Sequence, residues 1–198
     1  MWTDWDSFIL LPDGSGVALG SVGGVGVIYS GELDAFIING TSLIWAPNGS
    51  FTGGTVTASP SVVGDDLRLD GNFTGINTIT FGSPVENPLI AIWSLGAPSI
   101  PASFNFDATP TVEAGGPNSF FGGSSITVVG DTVNGNEGNG VVQFNGTFTS
   151  ISWTNTPENF YAFTVGVNGA PAPIPEPMSL TLLGSGLVGL VYRLRKRQ

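Results

Sequence analysis

Short β-type runs, with glycine-containing turns between them, recur along residues 25–167. In the first run, VGVIYSGEL, Val25, Val27 and Tyr29 recur at a period of two, so a strand places all three on one face. Similar runs follow in the order AFIING, SLIWA, TVTAS, INTITF, LIAIWSL, SFNFD, SITVVG, GVVQFNGTFTSISWT and FYAFTVGV. Helical periodicity is almost absent. The pattern therefore predicts an all-β domain over residues 1–167, built as an antiparallel β-sandwich or jelly roll.

Tight turns are predicted where Asn precedes Gly, because both residues tolerate positive φ. Such steps occur at residues 39–40, 48–49 and 145–146. Another glycine-rich stretch, GSVGGVG at residues 20–26, is not followed by a helical pattern that could present its N-terminus to a phosphate. We therefore interpret it as a flexible connection between strands and not as a nucleotide-binding loop.

Positive charge is confined almost entirely to the C-terminus. Four of the five basic residues lie in the last six positions, and Arg68 is the fifth. Residues 1–192 thus carry fifteen negative charges against one positive, a balance of −14. Such a domain repels phosphate backbones, which proteins bind largely through Lys and Arg. Nucleic acid is therefore excluded as a partner.

The chain contains neither Cys nor His. This excludes a disulfide scaffold, a thiol nucleophile, a zinc site with His or Cys ligands, and a Ser-His-Asp triad. Carboxylates remain as acid–base candidates, but those that stand out are scattered in turn-like contexts and no spacing marks a pair: Asp65, Asp66, Asp70, Asp107, Glu113, Asp131 and Glu137. We therefore expect a protein that is not an enzyme and needs no cofactor.

One stretch, GDTVNGNEGNG at residues 130–140, has the oxygen-rich composition of a calcium loop. It does not fit the EF-hand, because Val133 and Gly135 occupy the third and fifth positions counted from Asp131. We interpret it as a polar hairpin loop. Asp131 and Glu137 are the candidate ligands if calcium does bind there.

The five tryptophans raise the possibility of sugar binding, since aromatic rings stack on the apolar faces of pyranoses. Trp45, Trp93 and Trp153 each lie within an apolar strand pattern, which favours a place in the core. Trp2 and Trp5 lie near the N-terminus, outside such a pattern, and are the better candidates for exposure and glycan contact.

From residue 168 onward the pattern changes. NGAPAPIPEP, residues 168–177, contains four prolines in ten residues and predicts a linker, because proline cannot join an interior β-ladder. Residues 178–192 carry no charge and predict one short transmembrane helix. Residues 193–198 contain Arg193, Arg195, Lys196 and Arg197, which act as a stop signal and hold this end in the cytoplasm by the positive-inside rule.

The order of these parts resembles a PEP-CTERM sorting signal: Pro175-Glu176-Pro177, the apolar MSLTLLGSGLVGLVY, and the basic RLRKR. The resemblance covers about the last 26 residues. It implies export, transient anchoring in the inner membrane, recognition of Pro175, Glu176 and Pro177 by the membrane enzyme exosortase, and removal of the tail near this motif. It also implies a Gram-negative-type bacterium that makes exopolysaccharide and biofilm.

The N-terminal part of the chain is also similar to β-rich ectodomains that precede such tails, in WTDWDSF, GVGVIYSGEL and ITFGSPVENPLIAIWSLG. The opening residues, however, do not resemble a signal peptide: they contain no basic residue, and FILL is too short for its apolar core. We expect a misassigned start codon or a removed leader, the remaining alternative being a copy that has lost export.

Three function classes follow from the sequence. The first is a non-enzymatic protein of the cell surface or extracellular matrix, sorted through its tail, and this is our prediction. The second is a carbohydrate-binding module at the same location, with exopolysaccharide as its partner. The third, least supported, is a carboxylate-based hydrolase.

Overall fold

The computed structural model describes residues 1–61 and 64–168, with the backbone alone for residues 39–41. Over these residues the protein is all-β, as predicted, and its two sheets pack in a sandwich-like arrangement. The described residues contain no α-helix, only two single-turn 3₁₀ segments, Leu43–Trp45 and Asn48–Ser50.

The first sheet has eight strands, and every neighbouring pair in it is antiparallel. In spatial order they are β1 (Asp4–Leu10), β2 (Ser15–Val22), β3 (Val25–Glu32), β6 (Asn77–Glu86), β14 (Thr147–Asn155), β8 (Ala102–Phe106), β12 (Thr132–Gly135) and β11 (Thr127–Val129).

The second sheet has seven strands, antiparallel except for the pair β10–β13. In spatial order they are β10 (Ser124–Ser125), β13 (Gly138–Phe144), β7 (Pro88–Leu95), β15 (Tyr161–Val167), β5 (Gly64–Leu69) and β4 (Ala35–Ser42), with β9 (Pro110–Gly115) also paired to β13.

The main core lies between the two sheets and follows from the period-two pattern. In β3, Val25, Val27 and Tyr29 are buried, as predicted, whereas Ile28 between them is 46% exposed. Tyr29 meets Phe163 of the opposite sheet with ring centroids 5.1 Å apart. Alternate residues of each sheet thus form one apolar layer.

The seven-stranded sheet is buried on both faces at its three strands β7, β13 and β15. Every residue of β7, β13 and β15 is buried, which explains why LIAIWSL is an uninterrupted apolar run. The outer face carries a second cluster, to which the segment 43–56 contributes Ile44, Trp45, Phe51 and Val56. The sandwich therefore has a second, smaller core outside its sheets.

The turn predictions had mixed outcomes. Asn145-Gly146 forms a tight connection, and it leads from β13 in one sheet to β14 in the other. Asn48-Gly49 lies in a 3₁₀ segment, and the turn predicted at Asn39-Gly40 is wrong because both residues belong to β4. The stretch GSVGGVG does connect strands: Gly23 and Gly24, with φ of 57° and 86°, form the two-residue turn between β2 and β3.

Several strand predictions needed correction. SLIWA ends β4 and then forms a 3₁₀ segment, and TVTAS lies outside the named strands. The prediction missed β1, β2, β5, β9 and β12. In β1 and β5, charged residues occupy positions on one face that would otherwise be apolar. The alternation of apolar and polar residues is therefore short and partly masked.

The first residues of the chain join the last strand. The Met1 ammonium donates to the Val167 carbonyl at 2.9 Å, and Thr3 donates from both its backbone N–H and its hydroxyl to the Val165 carbonyl. Residues 1–3 therefore extend the seven-stranded sheet before the chain crosses to β1 in the other sheet.

Candidate functional site

The expected exposure of Trp5 is wrong. Its side chain is fully buried in the core between the sheets, and its indole N–H donates to the Thr164 hydroxyl at 3.2 Å. Asp4 and Asp6, on either side, point outward, so the alternation of β1 directs Trp5 inward. Trp5 offers no ring face to a glycan.

Trp2 is half-buried and lines a cavity of about 390 Å³, which we name the Trp2 cavity. Its indole N–H donates to the Ala58 carbonyl at 2.8 Å, and one edge of its ring packs against Gly166. The remaining wall is polar and consists of Thr3, Asp4, Ser61, Asp65 and Thr164, with Pro60 and Gly64. An aromatic ring beside carboxylates and hydroxyls is a combination suited to a sugar.

The other three tryptophans are buried, as predicted. Trp45 is fully buried, and Trp93 and Trp153 are each 2% exposed. Trp153 belongs to the core between the sheets, but Trp93 and Trp45 belong to the cluster on the outer face of the seven-stranded sheet. The sequence pattern could not distinguish these two faces.

Trp93 borders a second cavity, of about 270 Å³, which we name the aromatic cavity. It is lined by Ile37, Ser42, Leu43, Ile44, Arg68, Trp93, Phe120 and Phe160. Strands β4, β5 and β7 supply part of the wall, and the segments before β10 and β15 supply Phe120 and Phe160. None of these side chains except Trp93 was singled out from the sequence as a candidate site residue.

The two calcium candidates do not form one site. Asp131 precedes β12 and accepts a hydrogen bond from the Thr109 hydroxyl, whereas Glu137 follows β12 and accepts one from the Ser94 hydroxyl. The stretch predicted as a hairpin loop instead contains β12 and the start of β13. Among the described residues, no group of three or more acidic side chains is placed to hold a metal ion.

One pair of carboxyl groups does meet in the structure. A hydrogen bond joins the side chains of Glu32, at the end of β3, and Asp70, which follows β5. Both border a third cavity of about 320 Å³, which we name the carboxyl cavity and which Leu10, Leu11, Asp13, Asp34 and Phe73 also line. Glu32 escaped the sequence analysis because it occupies a strand position 38 residues before its partner.

The two carboxyl groups have opposite pKa shifts. Burial, followed by the hydrogen bond to Asp70, raises the pKa of Glu32 from 4.5 to about 7. The same hydrogen bond is the main cause that lowers the pKa of Asp70. Glu32 therefore keeps its proton at mildly acidic pH and donates it to the Asp70 carboxylate.

A buried polar network fixes Glu32 from the other side. Its carboxyl group accepts hydrogen bonds from the Asn155 side-chain amide at 2.5 Å and from the Phe73 backbone N–H at 3.2 Å. Asn155 in turn accepts from Asn77 at 2.8 Å and donates to Tyr161 at 2.5 Å.

The spacing of Glu32 and Asp70 does not fit glycoside hydrolysis. That reaction needs two carboxyl groups about 5–9.5 Å apart, and a directly hydrogen-bonded pair leaves no such gap for a sugar.

The other carboxylates named from the sequence hold the backbone or an arginine. Asp65 accepts from the Trp5 N–H at 2.8 Å and Asp107 from the Ser152 N–H at 3.0 Å. Glu113 accepts from the Thr55 N–H at 2.7 Å, and Asp66 pairs with Arg68 at 2.6 Å. The first three contacts join separate segments of the chain, whereas Asp66 and Arg68 both lie in β5, and the four carboxylates do not converge on one cavity.

The sorting residues Pro175, Glu176 and Pro177 lie outside the described residues, as do the basic residues Arg193, Arg195, Lys196 and Arg197. The predicted linker, beyond Asn168, and the predicted transmembrane helix lie there too. Within residues 1–61 and 64–168, no helix has the length and apolar character needed to cross a membrane.

Comparison with known proteins does not assign this chain to a family. Neither a protein family, nor a curated protein, nor a solved structure matches this chain.

The shared proton of Glu32 makes stability depend on pH. Between about pH 4.5 and 7 the folded protein binds more protons than the unfolded chain, so the free energy of unfolding falls as pH rises through this window. Glu137, whose pKa burial also raises, acts in the same direction. The lowered pKa of Asp70 acts oppositely, and only below its ordinary value of 3.8. We expect the loss attributable to Glu32 to be on the order of 1–2 kcal/mol after discounting for solvent screening.

Urea unfolding of the wild-type chain at pH 5 and pH 8 measures this loss. The Glu32→Gln variant, which cannot ionise, should lose most of the difference between the two pH values. Glu86→Gln, a change of an exposed carboxylate at the end of β6, is the matched control and should keep it. A Glu32→Gln variant with the full wild-type pH dependence would contradict the assignment of the shared proton.

Proposed function

We propose that this chain is an exported, non-enzymatic protein of the cell surface or extracellular matrix, sorted through its C-terminal tail by an exosortase. The observation that carries the proposal is the order of three parts within residues 175–197: Pro-Glu-Pro, an uncharged apolar span, and a basic end. Each part alone is common, but their order at the C-terminus matches the steps of arrest in the inner membrane, recognition and cleavage.

The composition of the folded surface supports an extracytoplasmic location. On the outer face of the eight-stranded sheet, Thr80 pairs with Ser150 and Thr78 with Ser152 across β6 and β14. These side chains are exposed or half-buried and carry no charge. The domain therefore covers part of its surface with hydroxyl groups in place of ion pairs, which suits a protein outside the cytoplasm.

The finer organisation belongs to the same proposal. The sandwich is a jelly roll over residues 1–167, and residues 168–177 form a linker that ends in the recognition motif. Residues 178–192 form a short helix that spans the inner membrane until cleavage, and residues 193–198 stay in the cytoplasm. The mature protein then reaches the surface or matrix of a Gram-negative-type, biofilm-forming bacterium.

Surface display in two matched hosts tests the sorting proposal. The full chain, preceded by a functional export leader, is expressed in an exosortase-containing strain and in the same strain lacking exosortase. Antibody against the sandwich should label intact cells or matrix of the first strain and not of the second. Equal labelling of both strains would contradict sorting by exosortase.

Saccharide binding is the second candidate function, and the Trp2 cavity is the observation that favours it. In this cavity a half-buried tryptophan lies beside the carboxylates of Asp4 and Asp65, which together can stack on a sugar ring and bind its hydroxyls. Calorimetric titration of the full chain in detergent with the host's exopolysaccharide tests this function. Saturable heat supports it, and a flat titration with and without calcium contradicts it.

A further inference from the structure

The aromatic cavity is built differently from the Trp2 cavity, and the two share no lining residue. Its rim consists of apolar side chains that the fold leaves in water: Leu43 and Phe120 are each 54% exposed, and the adjacent Phe121 is 59% exposed. Exposed apolar residues that occur together mark a binding surface more often than scattered ones do. The rim therefore points to a ligand with an apolar face.

The rings around Trp93 form a compact group. The centroids of Phe121 and Phe160 each lie 5.4 Å from that of Trp93, and the centroid of Phe120 lies 6.4 Å away. Phe120 and Phe160 meet Trp93 nearly edge-on, at 90° and 81°. Aromatic side chains thus border the cavity from three segments of the chain, and this arrangement offers ring faces and edges to a flat ligand.

Two polar atoms of the cavity's lining residues have no protein partner. The Ser42 hydroxyl and the Trp93 indole N–H are buried, and neither makes a hydrogen bond within the part of the chain that the structure describes. Buried polar groups are normally paired, so such atoms call for an explanation. Trp45 and Trp153 also have unpaired N–H groups, so the hydroxyl of Ser42 is the more informative of the two.

The charge at the cavity is already balanced. The Arg68 guanidinium donates to the fully buried Asp66 carboxylate at 2.6 and 3.3 Å, and lies 5.1 Å from the centre of the Phe160 ring. These contacts hold the guanidinium in place and compensate its charge, while other N–H groups of its five remain as donors. The site therefore suits a neutral ligand that carries hydroxyl acceptors.

We propose that the aromatic cavity binds one pyranose ring of a neutral saccharide. Its aromatic side chains contact the C–H face of the sugar, and Ser42 and Arg68 bind the hydroxyl groups. The cavity is smaller than the roughly 300–1,000 Å³ pockets that hold drug-sized ligands, which limits it to about a single ring. The inference rests on the second candidate function and places the specific contact at a site other than the Trp2 cavity.

NMR titration of the full chain in detergent, with both the ligand and the protein resonances observed, tests the proposal. The probes are neutral methyl hexopyranosides of gluco, galacto and manno configuration, together with the charged methyl glucuronoside. We expect at least one neutral probe to bind and to shift the indole N–H resonance of Trp93. Stronger binding of the glucuronoside than of every neutral probe would overturn the assignment to a neutral sugar.

Variants then locate the site. Phe120→Ala, at an exposed position, should weaken binding by at least about tenfold. Ser42→Ala should weaken it by about three- to tenfold, while the thermal midpoint of the free protein stays unchanged or rises, because the substitution removes a buried hydroxyl that makes no hydrogen bond in the described structure. Ile9→Ala, which removes a comparably exposed apolar side chain from β1, is the matched control and should leave binding unchanged.

Trp2→Ala separates this inference from the function on which it rests. If Trp2→Ala leaves affinity intact and Phe120→Ala lowers it, the aromatic cavity is the site. If Trp2→Ala abolishes binding and Phe120→Ala does not, the saccharide function stands and the inference is overturned. If no probe binds and the exopolysaccharide titration is flat, both are overturned.

Discussion

The Glu176→Ala variant of the full chain is expected to fold normally and to reach the surface at no more than background level. Glu176 lies in the recognition motif, eight residues beyond the last described residue, Asn168. Its loss should leave an uncleaved precursor in the inner membrane. Fractionation and immunoblotting of an exosortase-containing host measure the surface, membrane and soluble fractions. Glu86→Ala, which removes an exposed carboxylate from the sandwich, is the matched control and should be displayed like the wild type.

A change in the basic end is a second, independent test of the proposed sorting signal. Deleting residues 193–197 should abolish correct sorting, because no positive charge then holds this end in the cytoplasm. Replacing the three arginines by lysine keeps the charge and should preserve display. Unchanged surface display of Glu176→Ala, or of the deletion, would refute the proposed sorting signal.

Trp153→Ala should destabilise the sandwich strongly, because it removes a large buried ring from the core between the sheets. Trp153 is 2% exposed and meets Phe104, Phe106 and Phe163 with ring centroids 5.2–5.8 Å apart. Truncation of a buried Trp costs about 3–5 kcal/mol, a large share of the roughly 5–15 kcal/mol that holds a domain together.

Urea unfolding followed by far-ultraviolet circular dichroism measures this loss. Ile76→Ala, at a position 63% exposed, is the control and should change the free energy of unfolding by no more than about 0.5 kcal/mol. A loss of less than about 1 kcal/mol for Trp153→Ala would show that the described packing of this ring is wrong.

The sequence predicted those strands in which local alternation is strong. Val25, Val27 and Tyr29 recur at a period of two, and the structure buries all three. Trp5 shows the opposite case: the short motif Asp-Trp-Asp alternates in the same way, but it is too short to stand out beside its flanking charges. Position near a terminus proved a poor guide to exposure, because residues 1–3 join the sheet through Val165 and Val167.

The candidate sites depend on contacts that no local pattern records. Glu32 meets Asp70 only because β3 and the segment after β5 come together at one cavity. Trp93 has the pattern of a core residue and is buried, but the face on which it lies depends on which segment covers the sheet. Long-range topology decides both cases, whereas the tail motif is contiguous and can be read from sequence alone.

Cleavage of the tail is the central claim, and the mass of the mature protein tests it most directly. The protein released from the surface or matrix of an exosortase-containing host is measured intact and after digestion. We predict a C-terminus close to Pro175-Glu176-Pro177 and no peptide from the basic end. A surface protein that still ends in RLRKRQ would contradict the account.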